Sequence, residues 1–323
     1  RTVANAYLLC RIQDTIEDDP DLSLEIKSDL SRQFVRVIAS DCDANLFAEV
    51  LVQNLSAKTP RDEIKLIEST DKVIRITHDL KHVQKDAITK CVTKMAKGMM
   101  LYQDQESSDG LLDQDEMDQY CYFVAGVVGE MLTHIFCDYC PELADKKNYL
   151  LQLSVSFGQG LQMTNILKDI WTDKERGVCW LPQKTFQNYN IELSQVMPGE
   201  GGTQFELGLQ DLLSLAAGHL KNALDFTLIL PRNQPGIRRF CLWALGMAIL
   251  TLVKINKNPS FKSSSEAKIS RRWVKITIGA TSFLSCSNQY LKVLFKLGTK
   301  SLRVIPVTVP IRSISDLVDR QDT

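Results

Sequence analysis

The chain has 323 residues, 44% of them hydrophobic and 24% charged, and its 38 Lys and Arg against 39 Asp and Glu give a net charge of −1. That length holds one large core or two smaller ones, and the charge balance offers no global field for nucleic acid, so no nucleic-acid partner is expected. Sixteen Gly and ten Pro exclude collagen, low complexity and wholesale disorder.

Apolar residues recur at helical spacing and hardly ever alternate, which predicts an all-α fold. In chain order the helices are expected over 3–17, 22–40, 43–55, 61–80, 83–103, 114–136, 145–174, 205–228, 234–255 and 266–295. Asp-Asp-Pro at 18–20, Thr-Pro at 59–60, Ser-Ser-Asp-Gly at 107–110 and Pro-Gly-Glu-Gly-Gly at 198–202 separate them. Short connections without an internal repeat predict one compact helical domain over 1–300, followed by a tail over 301–323. Within 304–311, Pro306 and Pro310 forbid a helix. The apolar stretches 123–136 and 240–253 are shorter than the roughly 18 to 20 residues a bilayer-spanning helix needs, so neither reads as an anchor. Nine cysteines without regular spacing read as reduced thiols. A cytoplasmic protein is expected, with a peripheral membrane contact near its C-terminal end. Arg1 in place of Met, with the apolar pattern running by Tyr7, reads as a chain that begins inside a longer sequence.

Two constellations carry oxygen ligands. In Arg11-Ile-Gln-Asp14-Thr-Ile-Glu-Asp18, helical spacing puts Tyr7, Arg11, Asp14 and Asp18 on one face. Like charges at i and i+4 repel, so the pair either wants a cation or is a solvated helix end before Pro20. In Gln162-Met-Thr-Asn165-Ile-Leu-Lys-Asp169-Ile-Trp-Thr-Asp173, the residues Asn165, Asp169 and Asp173 follow one another at i+4 steps in an otherwise apolar helix. Hard oxygen donors of this kind suit Mg²⁺ completed by waters and substrate phosphates. A third segment, Tyr120-Cys-Tyr-Phe123-Val124-Ala-Gly126-Val-Val-Gly129, has two glycines inside a helix, each costing about 1 kcal/mol there. They serve either tight helix packing or the wall of an apolar tunnel. Phe123, Tyr122 and Trp171 offer aromatic faces to a carbocation or are simply core.

These three motifs, in this order, resemble the squalene/phytoene synthase family, and the likeness continues through Trp180-Leu-Pro182 and Phe240-Cys-Leu-Trp. Asp14 to Asp18, Phe240-Cys241 and Lys268-Ile-Ser-Arg271-Arg272 resemble its squalene-forming members most. The resemblance implies a single-domain helical isoprenoid-synthase bundle around a central cavity, joining two farnesyl diphosphates head to head (1′-1). It implies that Asp14, Asp18, Asn165, Asp169 and Asp173 hold Mg²⁺. Arg11 and Tyr7 then support ionisation, Tyr120 handles the proton, and Gln162, Val124, Gly129 and Phe123 line the substrate. Lys268, Arg271 and Arg272 meet the phosphate of NADPH. Val178 stands where relatives often have Arg, with Lys174 and Arg176 nearby as substitutes. The alternatives are a dehydrosqualene- or phytoene-type synthase without reduction, and a non-catalytic helical assembly factor.

Overall fold

A computed structural model describes residues 1–103 and 107–308. The tail expected over 301–323 lies, from 309 onward, outside the described residues. The chain divides into two compact units, Arg1–Gln105 with Glu130–Ala144, and Glu106–Gly129 with Asp145–Thr323.

The first unit contains α1 (Thr2–Asp18), α2 (Leu24–Ile38), α3 (Ala44–Asn54), α4 (Arg61–Glu68), α5 (Thr70–His78) and α6 (His82–Gln103). α1 buries Leu9, Ile12 and Ile16 and leaves Tyr7, Arg11, Asp14 and Asp18 on the outer stripe, the amphipathic division its sequence predicts. Phe34 stacks on Phe47 at 5.3 Å and joins α2 to α3. The predicted helix 61–80 breaks at Ser69, which ends α4 and starts α5, while the Thr70 hydroxyl bonds back to the Ile67 carbonyl at 2.6 Å. Ser and Thr compete in this way with helical hydrogen bonding without announcing a break as Pro or Gly does.

The second unit contains α7 (Gln114–Cys121), the start of α8 (Val127–Tyr139), α9 (Lys147–Glu175), α10 (Gln183–Gln187), α11 (Gly202–Ile229), α12 (Pro235–Lys257), α13 (Ser264–Ala267), α14 (Arg271–Leu284) and α15 (Asn288–Gly298). Between α7 and α8 the backbone makes one π-helical turn, Tyr122–Gly126, the kind of bulge that often marks a functional site. α9 is the hub: residues 153–160 are all buried, and small side chains there let two neighbours approach. A Cβ on Gly158 would lie 2.4 Å from the Ala125 carbonyl, and one on Gly160 would lie 2.9 Å from His219 of α11. The predicted helix 266–295 is three helices. Ser270 caps α14 by accepting from the Trp273 amide, and the Ser285–Ser287 link separates α14 from α15. Residues 303–308 carry no helix, in keeping with Pro306, while Pro310 lies outside the described residues.

Among the described residues, two helical stretches would by length and composition suffice to cross a membrane: Gln114–Tyr139, 56% buried over its apolar window, and Pro235–Lys257, 44% buried. Counting uninterrupted apolar residues underestimates both, because a helix tolerates a charge or two along its length.

Candidate active site

The first acidic cluster is built on α1. The Arg11 guanidinium forms an ion pair with Glu63 of α4 and lies 3.7 Å from the Asp14 carboxylate. The Thr15 hydroxyl donates to the other Glu63 oxygen at 3.2 Å. Arg11, Thr15, Asp18, Lys58 and Glu63 line a cleft of about 180 Å³. Burial above all, then the charge of Asp18, pushes the Asp14 carboxyl up to about 7 against the opposing pull of Arg11. Three carboxylates, Glu63, Asp14 and Asp18, therefore act on one guanidinium. Glu63 is the participant the sequence did not reveal. It reads there as an ordinary acid in the first turn of a helix, 52 positions from Arg11.

Asp19 belongs elsewhere. Its carboxylate accepts from the Ser56 amide at 2.9 Å, the Thr59 hydroxyl at 2.8 Å and the Asp21 amide at 3.0 Å. Burial works against its charge, yet those donors outweigh it and hold the carboxyl below its ordinary range. Asp19 fastens the end of α1 to the start of the cleft wall, so of the acidic run only part is structural.

The second cluster lies along α9, whose partly exposed stripe is Gln162, Asn165, Lys168, Asp169 and Asp173. Lys168, which the motif itself does not single out, bonds Asp169 at 3.0 Å and reaches Asn165 at 3.5 Å. Lys174 does not take the place of an arginine at 178. Its ammonium is held by the carbonyls of Leu193 and Val196, and Val178 is buried. Among the described residues no three of His, Cys, Asp and Glu gather as a ready-made metal cage. Mg²⁺ commonly needs only one or two carboxylates, keeping its waters and taking phosphate oxygens from a substrate.

Tyr120 is buried and stacked on Trp180, with ring centres 4.0 Å apart and planes 5° from parallel. A short bridge positions Trp180. The Leu111 amide donates to Leu181 at 3.0 Å and the Cys179 amide to Ser107 at 2.9 Å. Gly110 turns into it at φ +96°, where a Cβ would strike the Leu181 carbonyl. Asp118, one turn before Tyr122, is pushed up to about 6 by burial. Gly129 meets the backbone of α9, where an added Cβ would lie 2.2 Å from the Ser154 carbonyl, so in the fold it serves helix packing. Phe123 is buried and Val124 partly so. Trp171 is core: its indole N–H donates to the Phe261 carbonyl at 2.6 Å and its ring packs between Phe205 and Phe261. Lys268, Arg271 and Arg272 are exposed around the first turn of α14.

An all-α chain whose two long helices carry stripes of oxygen donors is the class of protein this fold defines. The chain belongs to the squalene/phytoene synthase family, a family of prenyltransferase-type enzymes, whose model matches residues 1–273. It is 28% identical over 306 residues to squalene synthase ERG9 of Candida albicans and 30% identical over 305 residues to squalene synthase of Cyberlindnera jadinii. Each alignment covers 93% of this chain, which spans 64% and 63% of those relatives' lengths. Among solved structures, a complex of TcSQS with the ligand BPH1237 superposes with a TM-score of 0.70 at 21% identity, covering 98% of this chain and 88% of that one. The fold is that of the squalene synthases.

Proposed function

We propose that this chain is a squalene synthase, joining two farnesyl diphosphates 1′-1 to presqualene diphosphate and rearranging it reductively to squalene. The observation that carries the reading is the crowding of carboxylates about Arg11: Asp14, Asp18 and Glu63 all act on its guanidinium, with the Asp14 carboxyl held up to about 7. Carboxylates gathered so closely fit a divalent metal accompanied by a diphosphate. Asp14 and Asp18, and on α9 Asn165, Asp169 and Asp173, are the residues that would hold Mg²⁺. Bound there, the metal supplies charge to neutralise a departing diphosphate.

The chain's own groups do the rest. Arg11 and Tyr7 contact the diphosphate, whose departure leaves an allylic cation that water would quench. Gln162 orients the substrate, while Phe123 and Val124 bound its prenyl chain. Tyr120, fixed face to face against Trp180, holds the proton released as the new carbon–carbon bond forms. Lys268, Arg271 and Arg272 are exposed donors suited to the phosphate of NADPH, which supplies hydride when bound.

Incubation with farnesyl diphosphate and Mg²⁺, with and without NADPH, tests the reading by product mass. Squalene formed only with NADPH supports it. A polyene made without reduction assigns the chain to the dehydrosqualene type, and absence of any turnover from the full-length protein favours the non-catalytic assembly factor.

A further inference from the structure

Arg11 stands on the outer stripe of α1 between two anions and takes them unequally. Its Nη2 donates to Glu63 of α4, while its Nη1 stays 3.7 Å from the Asp14 carboxylate, too far for a hydrogen bond. Asp14 is the local partner, three residues along the same helix, and a long, flexible arginine readily folds onto such a neighbour. The closer pair is nevertheless the one made across two helices.

Glu63 is built to hold that choice. Its side chain is 19% exposed, and its second carboxylate oxygen accepts from the Thr15 hydroxyl at 3.2 Å. Thr15 follows Arg11 by one turn, and its hydroxyl also lies 2.9 Å from the Arg11 carbonyl, so one turn of α1 engages both oxygens of the carboxylate. The backbone beneath is fixed as well. Glu63 sits in the first turn of α4, its amide bonded to the Pro60 carbonyl at 2.9 Å. The residues before it are tied to the end of α1, because the Asp19 carboxylate accepts from the Ser56 amide and the Thr59 hydroxyl. Ile12 and Ile16 of α1 and Ile67 of α4 are wholly buried, so the unit has an apolar core that an ion pair at the rim of the cleft does not have to supply.

We propose that Glu63 is a positioning residue for the diphosphate site: it holds the Arg11 guanidinium over the cleft and off Asp14, so that phosphate oxygens meet Arg11 while the metal meets Asp14. The inference rests on the squalene synthase reading and adds to it a residue that none of the three motifs contains. Without Glu63 the guanidinium closes on Asp14, and one internal ion pair then cancels a cation and an anion that the site uses separately. The carboxylate charge matters, because a hydrogen bond between two ionised groups is roughly twice as strong as one to a neutral carboxamide. Fixing an arginine in advance also removes rotamer freedom that the ligand would otherwise have to freeze.

Titration calorimetry of the full chain with inorganic pyrophosphate in excess Mg²⁺ tests the proposal on wild type, Glu63→Gln, Arg11→Gln and the double variant. By charge alone, losing an anion from the cleft would tighten pyrophosphate binding. Positioning has the opposite sign, and Glu63→Gln is expected to weaken binding about tenfold. In the Arg11→Gln background the same substitution should change nothing further, because its effect passes through Arg11. A merely structural loss would appear in both backgrounds. Unchanged or tighter binding by Glu63→Gln overturns the proposal, as does a double variant in which the two losses add. A wild-type chain that binds no pyrophosphate refutes the diphosphate reading itself, and this inference with it.

Discussion

Asp14 shows how a side chain serving a reaction burdens the fold that holds it. Its carboxyl titrates near 7 in the folded chain against 3.8 for the free group, because burial and the Asp18 charge both disfavour ionisation. A raised carboxyl pKa means the folded state binds more protons between those values, so the stability it confers is present below about pH 4 and lost as pH rises through 7. Asp14→Asn is thus expected to raise the melting temperature of the metal-free protein at pH 8, to remove the stabilisation that added Mg²⁺ gives the parent, and to abolish diphosphate release. Calorimetry with and without Mg²⁺ reads the first two effects, and a phosphate assay the third. His219 titrates with the opposite sign. Burial alone lowers it to about 4, and its one hydrogen bond is to Ser156 at 2.8 Å. The unfolded chain binds the extra proton between about pH 6.5 and 4, so stability falls across that window by roughly 3 kcal/mol as the solution is acidified. His219→Gln should flatten that part of the pH–stability curve measured by denaturant titration. The Glu63 partnership was not legible in the sequence. Spacing along one helix shows which donors share a face, but not which side chain another segment brings to it.

At the scale of elements, the sequence located most helices to within a few residues, because each combines an apolar stripe with Pro, Gly or Asp punctuation. It missed the breaks at Ser69 and at Ser285–Ser287, where the Thr70 and Ser285 hydroxyls bond back to backbone carbonyls inside otherwise continuous periodicity. It also missed α10, five residues long and too short to show a period. The two open explanations for the glycines of the central motif separate at this scale. At Gly129 a methyl group would press on the Ser154 carbonyl, and overpacking of that kind costs about 1–3 kcal/mol, more than the helix propensity Ala returns. Gly279, in α14, has nothing within 4 Å of an added Cβ. Gly129→Ala is therefore expected to lower the melting temperature and Gly279→Ala to raise it, the latter by about 0.5–1 kcal/mol of stability. Equal signs for the two would remove the packing explanation.

For the molecule as a whole, family membership was legible from three motifs because two acid-spaced helices with a small-residue helix between them rarely occur together in that order. The charge partition was invisible in the net figure, since a sum near zero hides its distribution: residues 267–308 carry eight Lys and Arg and no Asp or Glu, so the net −1 divides into +8 there and −9 elsewhere. With a calculated pI near 6.5, the protein would ordinarily be expected to ignore a cation-exchange resin at pH 7.5. The acid-free strip makes it bivalent toward chromatographic media: it should adhere to both sulfonate and quaternary-amine columns in the same dilute buffer. Neutralising Lys292 and Lys296 should shorten retention on the sulfonate column alone, so an elution profile reports the lopsidedness that an isoelectric gel averages away.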